Sequence, residues 1–210
     1  MKFYDCTPAP SPRRVRIFLA EKGIELETVQ VDLMNAENLG AEYRKINPRG
    51  LVPTLQLDDG SCIDESMAIC RYFEETHPEP PLFGTDAKSR AVIESVNRCM
   101  EMEGLQSVAD AFRNTAPSFA KRGLQGVDED VPAIPALAER GLGGIRRYFD
   151  RLETLLADHA FVAGDQFSVA DITAMVTVDF AGWVKQRVPQ GNANTQRWYA
   201  AVSARPSAKA

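Results

Sequence analysis

Three of the five residues in His77-Pro78-Glu79-Pro80-Pro81 are proline, so neither a helix nor an interior strand can run through them. Each proline lacks a backbone N–H and pushes the residue before it towards extended conformations. The chain is expected to divide there, with a linker reaching about Asp86 and domains over 1–78 and 87–210. Before the break, short strand-like and helix-like segments alternate. After it, every periodic segment is helical. A chain of 210 residues with 44% hydrophobic content is long enough to fill one large domain or two small ones.

The first part reads β-α-β-α-β-β-α. Residues 2–6 form a short strand candidate. Ser11-Pro12 resembles a helix start, with serine at the N-cap and proline at the first helical position. Val15, Phe18, Leu19 and Lys22 recur at helical spacing, and Gly23 supplies a stop. Residues 27–33 alternate as a strand, and residues 38–46 form a short irregular helix or turn. Residues 51–57 and 61–63 read as strands joined through Asp58-Asp59-Gly60. Ile69, Tyr72 and Phe73 give an apolar face to a helix over residues 66–75. In the second part, Val92, Ile93, Val96, Cys99 and Met100 share one face, and Leu142, Ile145, Phe149, Leu152 and Leu156 share another. Ser168 to Asp171 has the spacing of a capping box, ahead of a helix with Ile172, Met175, Val176 and Val184. A last short helix holds Trp198 and Val202. Residues 114–135, with three prolines, two glycines and the acids Asp128, Glu129 and Asp130, read as a long loop. A loop of that length in a compact fold is expected to lie near a substrate pocket, or else to be a solvent excursion.

The net charge of −5 and the lack of a dense Lys/Arg run argue against a nucleic-acid partner. No apolar run approaches a membrane span, and the Met-Lys-Phe-Tyr-Asp-Cys start has no signal-peptide core, so a cytoplasmic setting is expected. Cys6, Cys62, Cys70 and Cys99 make no C-x-x-C pair and read as reduced, mostly buried thiols. With His77 and His159 the only histidines, no metal site is expected.

The chemistry concentrates in two nearby motifs. In Gly50-Leu51-Val52-Pro53-Thr54-Leu55 an extended segment runs into a proline. A trans proline there would remove a sheet hydrogen bond, whereas a cis bond turns the N–H and C=O of Val52 outward. Ten residues on, Asp64-Glu65-Ser66-Met67-Ala68-Ile69 opens an apolar helix whose first amides are free and carry partial positive charge. Ser66 also fits as a cap of its own helix. Together the motifs describe a site for a small, peptide-like, anionic ligand.

The same motifs carry a resemblance. Asn47-Pro48-Arg49-Gly50-Leu51-Val52-Pro53-Thr54-Leu55 resembles the cis-proline strand of cytosolic glutathione transferases, and Asp64 to Ile69 resembles their γ-glutamyl-binding turn. The stretch from Phe161-Val162-Ala163-Gly164-Asp165 to Asp171-Ile172 resembles the capped helix of their C-terminal half. The likeness spans the chain and is strongest to bacterial and fungal members near the theta-like branch. It implies an α/β thioredoxin-like N-terminal domain, an all-α C-terminal domain and a homodimer. Glutathione is the implied co-substrate, and its thiolate is conjugated to an apolar electrophile seated near Phe112, Arg113 and the loop over 114–135. Another glutathione-dependent activity (isomerase, dehalogenase or peroxidase) or a non-catalytic ligand-binding role fits the same fold.

By this resemblance, Val52 ahead of Pro53 pairs with the cysteinyl backbone of glutathione, Ser66 donates to the γ-glutamyl carboxylate, and Glu65 pairs with its ammonium. Asn38 and Arg49 are candidates for the glycine carboxylate, or solvated loop residues. Arg13 is either a ligand contact or a surface arginine. A thiol titrates near 8.5 in water, so a hydroxyl donor at the first helix is expected to stabilise the thiolate. Aligned from Gly23, the serine or cysteine of related classes falls at Ala9, which has no donor. Ser11 is the preferred candidate; Thr7, backbone amides and an ordered water remain open. Cys6 falls too early for a thiol-exchange class, and Asp5 occupies the place of the phenol in tyrosine-type enzymes.

Overall fold

The computed structural model describes residues 1–210. Lys2–Asp5 (β1) pairs in parallel with Glu27–Gln30 (β2), and Pro10–Lys22 (α1) supplies the crossover such pairing requires. Thr54–Gln56 (β3) lies antiparallel on the other side of β1, and Cys62–Asp64 (β4) forms the far edge. The sheet order β2-β1-β3-β4, with Ala41–Arg44 (α2) and Ser66–Thr76 (α3), is the expected β-α-β-α-β-β-α unit.

Two local readings need correction. α1 begins at Pro10, with Ala9 rather than Ser11 at the N-cap, and no side chain caps it. Pro10 and Pro12 suit a first helical turn equally in φ. A turn in which the Ala9 amide donates to the Cys6 carbonyl, 2.8 Å away, sets the register. Gly23 ends the helix as expected, at φ +66° where L side chains are disfavoured. β3 starts at Thr54, not residue 51, because the Leu51 carbonyl is drawn away from the sheet. It accepts from the Tyr43 hydroxyl at 2.6 Å, the Asn47 amide at 3.0 Å and the Thr54 hydroxyl at 3.2 Å.

Between α3 and the helical half, the amides of Leu82 and Phe83 each donate to the Glu74 carboxylate at 3.0 Å. The buried Lys22 ammonium holds that carboxylate at 2.6 Å and the His77 carbonyl at 2.8 Å. Beyond lie Ala87–Cys99 (α4), a π-helical stretch Met100–Leu105, Gln106–Arg113 (α5), Pro135–Leu155 (α6), Val169–Ala181 (α7) and Ala193–Ser203 (α8). On α4 the expected stripe is imperfect: Val92 is exposed, and Asn97 is fully buried, accepting from the Thr173 hydroxyl at 2.7 Å. The stripe on α6 is as read, and its Tyr148 lies against Gly104 so closely that a Cβ there would fall 2.5 Å from the ring.

α7 is the central helix; all its residues except Asp179 are buried. Its N-terminus carries the capping box from Ser168 to Asp171. The core is continuous, joining Phe3, Phe18 and Phe73 of the first half to Ile145, Phe149, Met175 and Trp198 of the second. The four cysteines are free, but only Cys6 and Cys70 are buried; Cys62 is exposed and Cys99 half-buried. No helix is long and apolar enough to cross a membrane.

Candidate glutathione site

The Val52–Pro53 bond is cis. Val52 lies outside β3, and neither its N–H nor its C=O takes part in the backbone hydrogen bonding. Its neighbours are held firmly. Thr54 is buried and bonded to Tyr43 at 3.1 Å and Asn47 at 3.0 Å, and Asn38 donates to the Gly50 carbonyl at 2.7 Å. A rigid frame therefore presents one residue whose N–H and C=O are both unused, which is what an extended peptide needs for strand-like pairing.

Glu65 stands next to it, at the N-cap of α3, with φ +70° and ψ 125°. A glutamate in that region costs on the order of 1–3 kcal/mol, held in place by its surroundings. No side chain caps α3, so its first-turn amides remain available to a carboxylate. Ser66 is buried; its hydroxyl donates to the Ser11 carbonyl at 2.9 Å, tying the start of α3 to the start of α1. The capping reading of Ser66 does not hold, since its hydroxyl faces a different helix.

The remaining candidates divide. Arg49 turns to the α3 end, where its guanidinium pairs with Asp64 and Glu65, both at 2.8 Å. Asn38 is spent on Gly50 and buried, with its carbonyl oxygen unpartnered. Arg13 meets Asp179 of α7 at 2.5 Å and the Ala208 carbonyl at 3.1 Å, so it joins the two halves. The Thr7 hydroxyl is engaged by Gln30 at 2.9 Å. Burial raises the Cys6 thiol above its usual range, which makes it a poor nucleophile. Tyr4 reaches Gln56 at 3.2 Å and packs edge-on to Tyr43, inside the fold.

Ser11 occupies the second position of α1. Pro10 and Pro12 have no N–H, so the Ser11 amide is the one donor the first three helical residues provide. Amide and hydroxyl both belong to a residue that Ser66 anchors beside the α3 N-terminus.

The sequence reading missed how the loop over 114–135 reaches this frame. It contains a turn of 3-10 helix, Pro117–Phe119, and a bridge between Arg122 and Val131. Arg122 donates to the Leu33 carbonyl at 2.6 Å, and Arg44 donates to the Gly126 carbonyl at 3.2 Å. Gly126, at φ +68°, lies so near residue 49 that a Cβ would fall 2.1 Å from the Arg49 carbonyl. Behind the loop, Phe112, Phe119, Phe180 and the half-exposed Trp183 form an aromatic cluster with ring centroids 5.1–5.5 Å apart. The exposure of Trp183, in the 3-10 turn Gly182–Val184 after α7, leaves no mark in the sequence itself.

The profile of the glutathione S-transferase N-terminal domain matches residues 9–76, and that of the C-terminal domain matches residues 126–206. The chain is 35% identical to glutathione S-transferase 2 of Saccharomyces cerevisiae, covering 100% of this chain and 88% of that protein. It superposes with a TM-score of 0.89 on a glutathione S-transferase domain-containing protein of Marinobacter aquaeolei VT8, 37% identical and covering 99% of each chain. A maleylacetoacetate isomerase of Pseudomonas aeruginosa is 40% identical over 43% of this chain and 44% of that protein.

Proposed function

The chain belongs to the glutathione S-transferase family, and from that premise we propose that it conjugates the glutathione thiolate to electrophilic carbon. Glutathione lies along Val52, with its γ-glutamyl carboxylate on the α3 amides, that of Ser66 among them, and its ammonium on Glu65. The Ser66 hydroxyl, committed to the Ser11 carbonyl, positions that amide rather than donating to the ligand. Arg49 orients Glu65 by the ion pair described above. The thiol sits over the start of α1, where the Ser11 hydroxyl and amide favour its ionised form, helped by the helix dipole. The thiolate attacks the ring carbon of an aryl halide. A C–S bond forms, halide leaves with its bonding pair, and the thiol proton passes to solvent. A homodimer and a cytoplasmic setting follow from the family likeness, and the division into domains at 1–78 and 87–210 belongs to the same reading.

The observation that carries this reading is the unused N–H and C=O of Val52 beside the uncapped α3 N-terminus. Calorimetric titration tests it: glutathione binds, and the bound peptide shows thiolate absorbance at neutral pH. Absence of binding sinks the reading. The match to an isomerase favours a second reading, in which glutathione adds to a conjugated double bond and leaves again. Thiol titration separates the two, since conjugation consumes one thiol per turnover and isomerisation consumes none.

A further inference from the structure

Two guanidinium groups beside the aromatic cluster have no carboxylate to answer them. Arg13, Arg14, Arg16 and Arg205 each meet a carboxylate. Arg113, at the end of α5, and Arg122, in the loop, form no ion pair and lie close enough for the charge of one to act on the other. Both lie against the Phe119 ring, 5.0 and 5.3 Å from its centroid. Arg113 spends one donor on the Arg122 carbonyl at 3.1 Å, and Arg122 spends two of its five on the carbonyls of Leu33 and Met34. The acid of this loop that forms an ion pair, Asp130, is taken by Lys121 at 2.8 Å. Burial, then the charge of Arg122, pushes Arg113 down to about 10, which leaves it cationic at neutral pH.

Two like charges, partly withdrawn from water and without a counter-charge, are an unfavourable arrangement that one anion would relieve. The half-exposed Trp183, packed 5.3 Å from Phe112, offers a flat aromatic surface next to them. We propose that the second substrate is a planar electrophile carrying a carboxylate or sulfonate, its ring against Trp183 and its anion between Arg113 and Arg122. The inference rests on the transferase reading above and names the substrate class of that site. The distance from Arg122 to Leu33 puts the pair at the junction of the two halves, where an electrophile must lie to meet a thiol over α1.

The test compares a chloronitrobenzoate with the corresponding chloronitrobenzamide at saturating glutathione, each kcat/KM divided by its uncatalysed rate. The wild-type protein favours the benzoate by about tenfold or more, as charge-assisted hydrogen bonds to an anion allow. Arg113→Gln collapses that ratio, and Arg113→Lys restores part of it, since a point charge lacks the planar fork. A wild-type ratio near one, or a ratio unchanged in R113Q, overturns the proposal. So does a loss of glutathione affinity in R113Q as large as the loss of benzoate turnover, because the pair would then serve the glycine carboxylate. Should R113Q not fold, the wild-type protein alone decides. An unreactive nitrobenzenesulfonate competes with the electrophile better than the sulfonamide does, and less so as salt rises; equal inhibition overturns the proposal. Turnover of neither electrophile, with no glutathione binding, is instead failure of the transferase reading.

Discussion

At the scale of single residues, the proposed partner of the thiol is one serine between two prolines. Ser11→Ala removes the hydroxyl and leaves the amide, so kcat/KM is expected to fall by about ten- to hundredfold while glutathione affinity is nearly kept. Spectroscopic titration of the bound thiol should show its pKa rising in the variant; an unchanged pKa moves the role to the amide or a water. The sequence placed Ser11 at the N-cap, and the structure places it at the second position of the helix. Serine before proline is a strong capping signal, but Pro10 carries the same φ preference, and the turn at Cys6–Ala9 decides between them. Partners distant in sequence left no local trace. The Ser66 hydroxyl meets the Ser11 carbonyl across 55 positions, and Arg49 pairs with Glu65.

At the scale of elements, the loop over 114–135 behaves as part of the frame around residues 49–51. Gly126→Ala forces a side chain into a left-handed position and against the Arg49 carbonyl. Stability should drop by roughly 1–2 kcal/mol and the KM for glutathione should rise. Thermal melting and steady-state kinetics check both; an unaltered KM would detach the loop from the site. The C-terminal segment is clipped to α1 through Glu21, which accepts from Arg205 at 2.7 Å and from the Ser207 hydroxyl. Burial alone would raise Glu21, but the hydrogen bonds from Arg205 and Ser207 outweigh it and hold the carboxyl below its usual 4.5. A depressed carboxyl stabilises the fold above its unfolded value, and that contribution is lost as pH falls through the folded one. Protection factors of the last amides, corrected for intrinsic exchange, should fall as the pH drops below the usual glutamate range, and in Glu21→Gln that pH dependence should vanish. Elements with local signals were readable from the sequence: the proline break, the Gly23 stop and the Ser168–Asp171 box each need only neighbours. The start of β3 was not, because the Leu51 carbonyl answers to Tyr43, a residue on α2.

At the scale of the whole molecule, one core runs through both halves, and ion pairs seal their contact. Arg14 is buried and meets Glu101 at 2.6 Å. Glu101→Gln leaves that cation without full compensation, at a cost of about 3 kcal/mol in denaturant unfolding. Far-UV circular dichroism and the fluorescence of buried Trp198 should report a single shared transition in both proteins. Two separated transitions would show that the halves fold independently. The chain order suggests that the helical half could be traded between relatives at the proline break, but α1 contradicts the chain order. Its Arg13, Arg14 and Glu21 each find their partner beyond residue 100. A recombinant joined at that break would inherit three mismatched charges, so the first helix has to travel with the second half for the hybrid to survive.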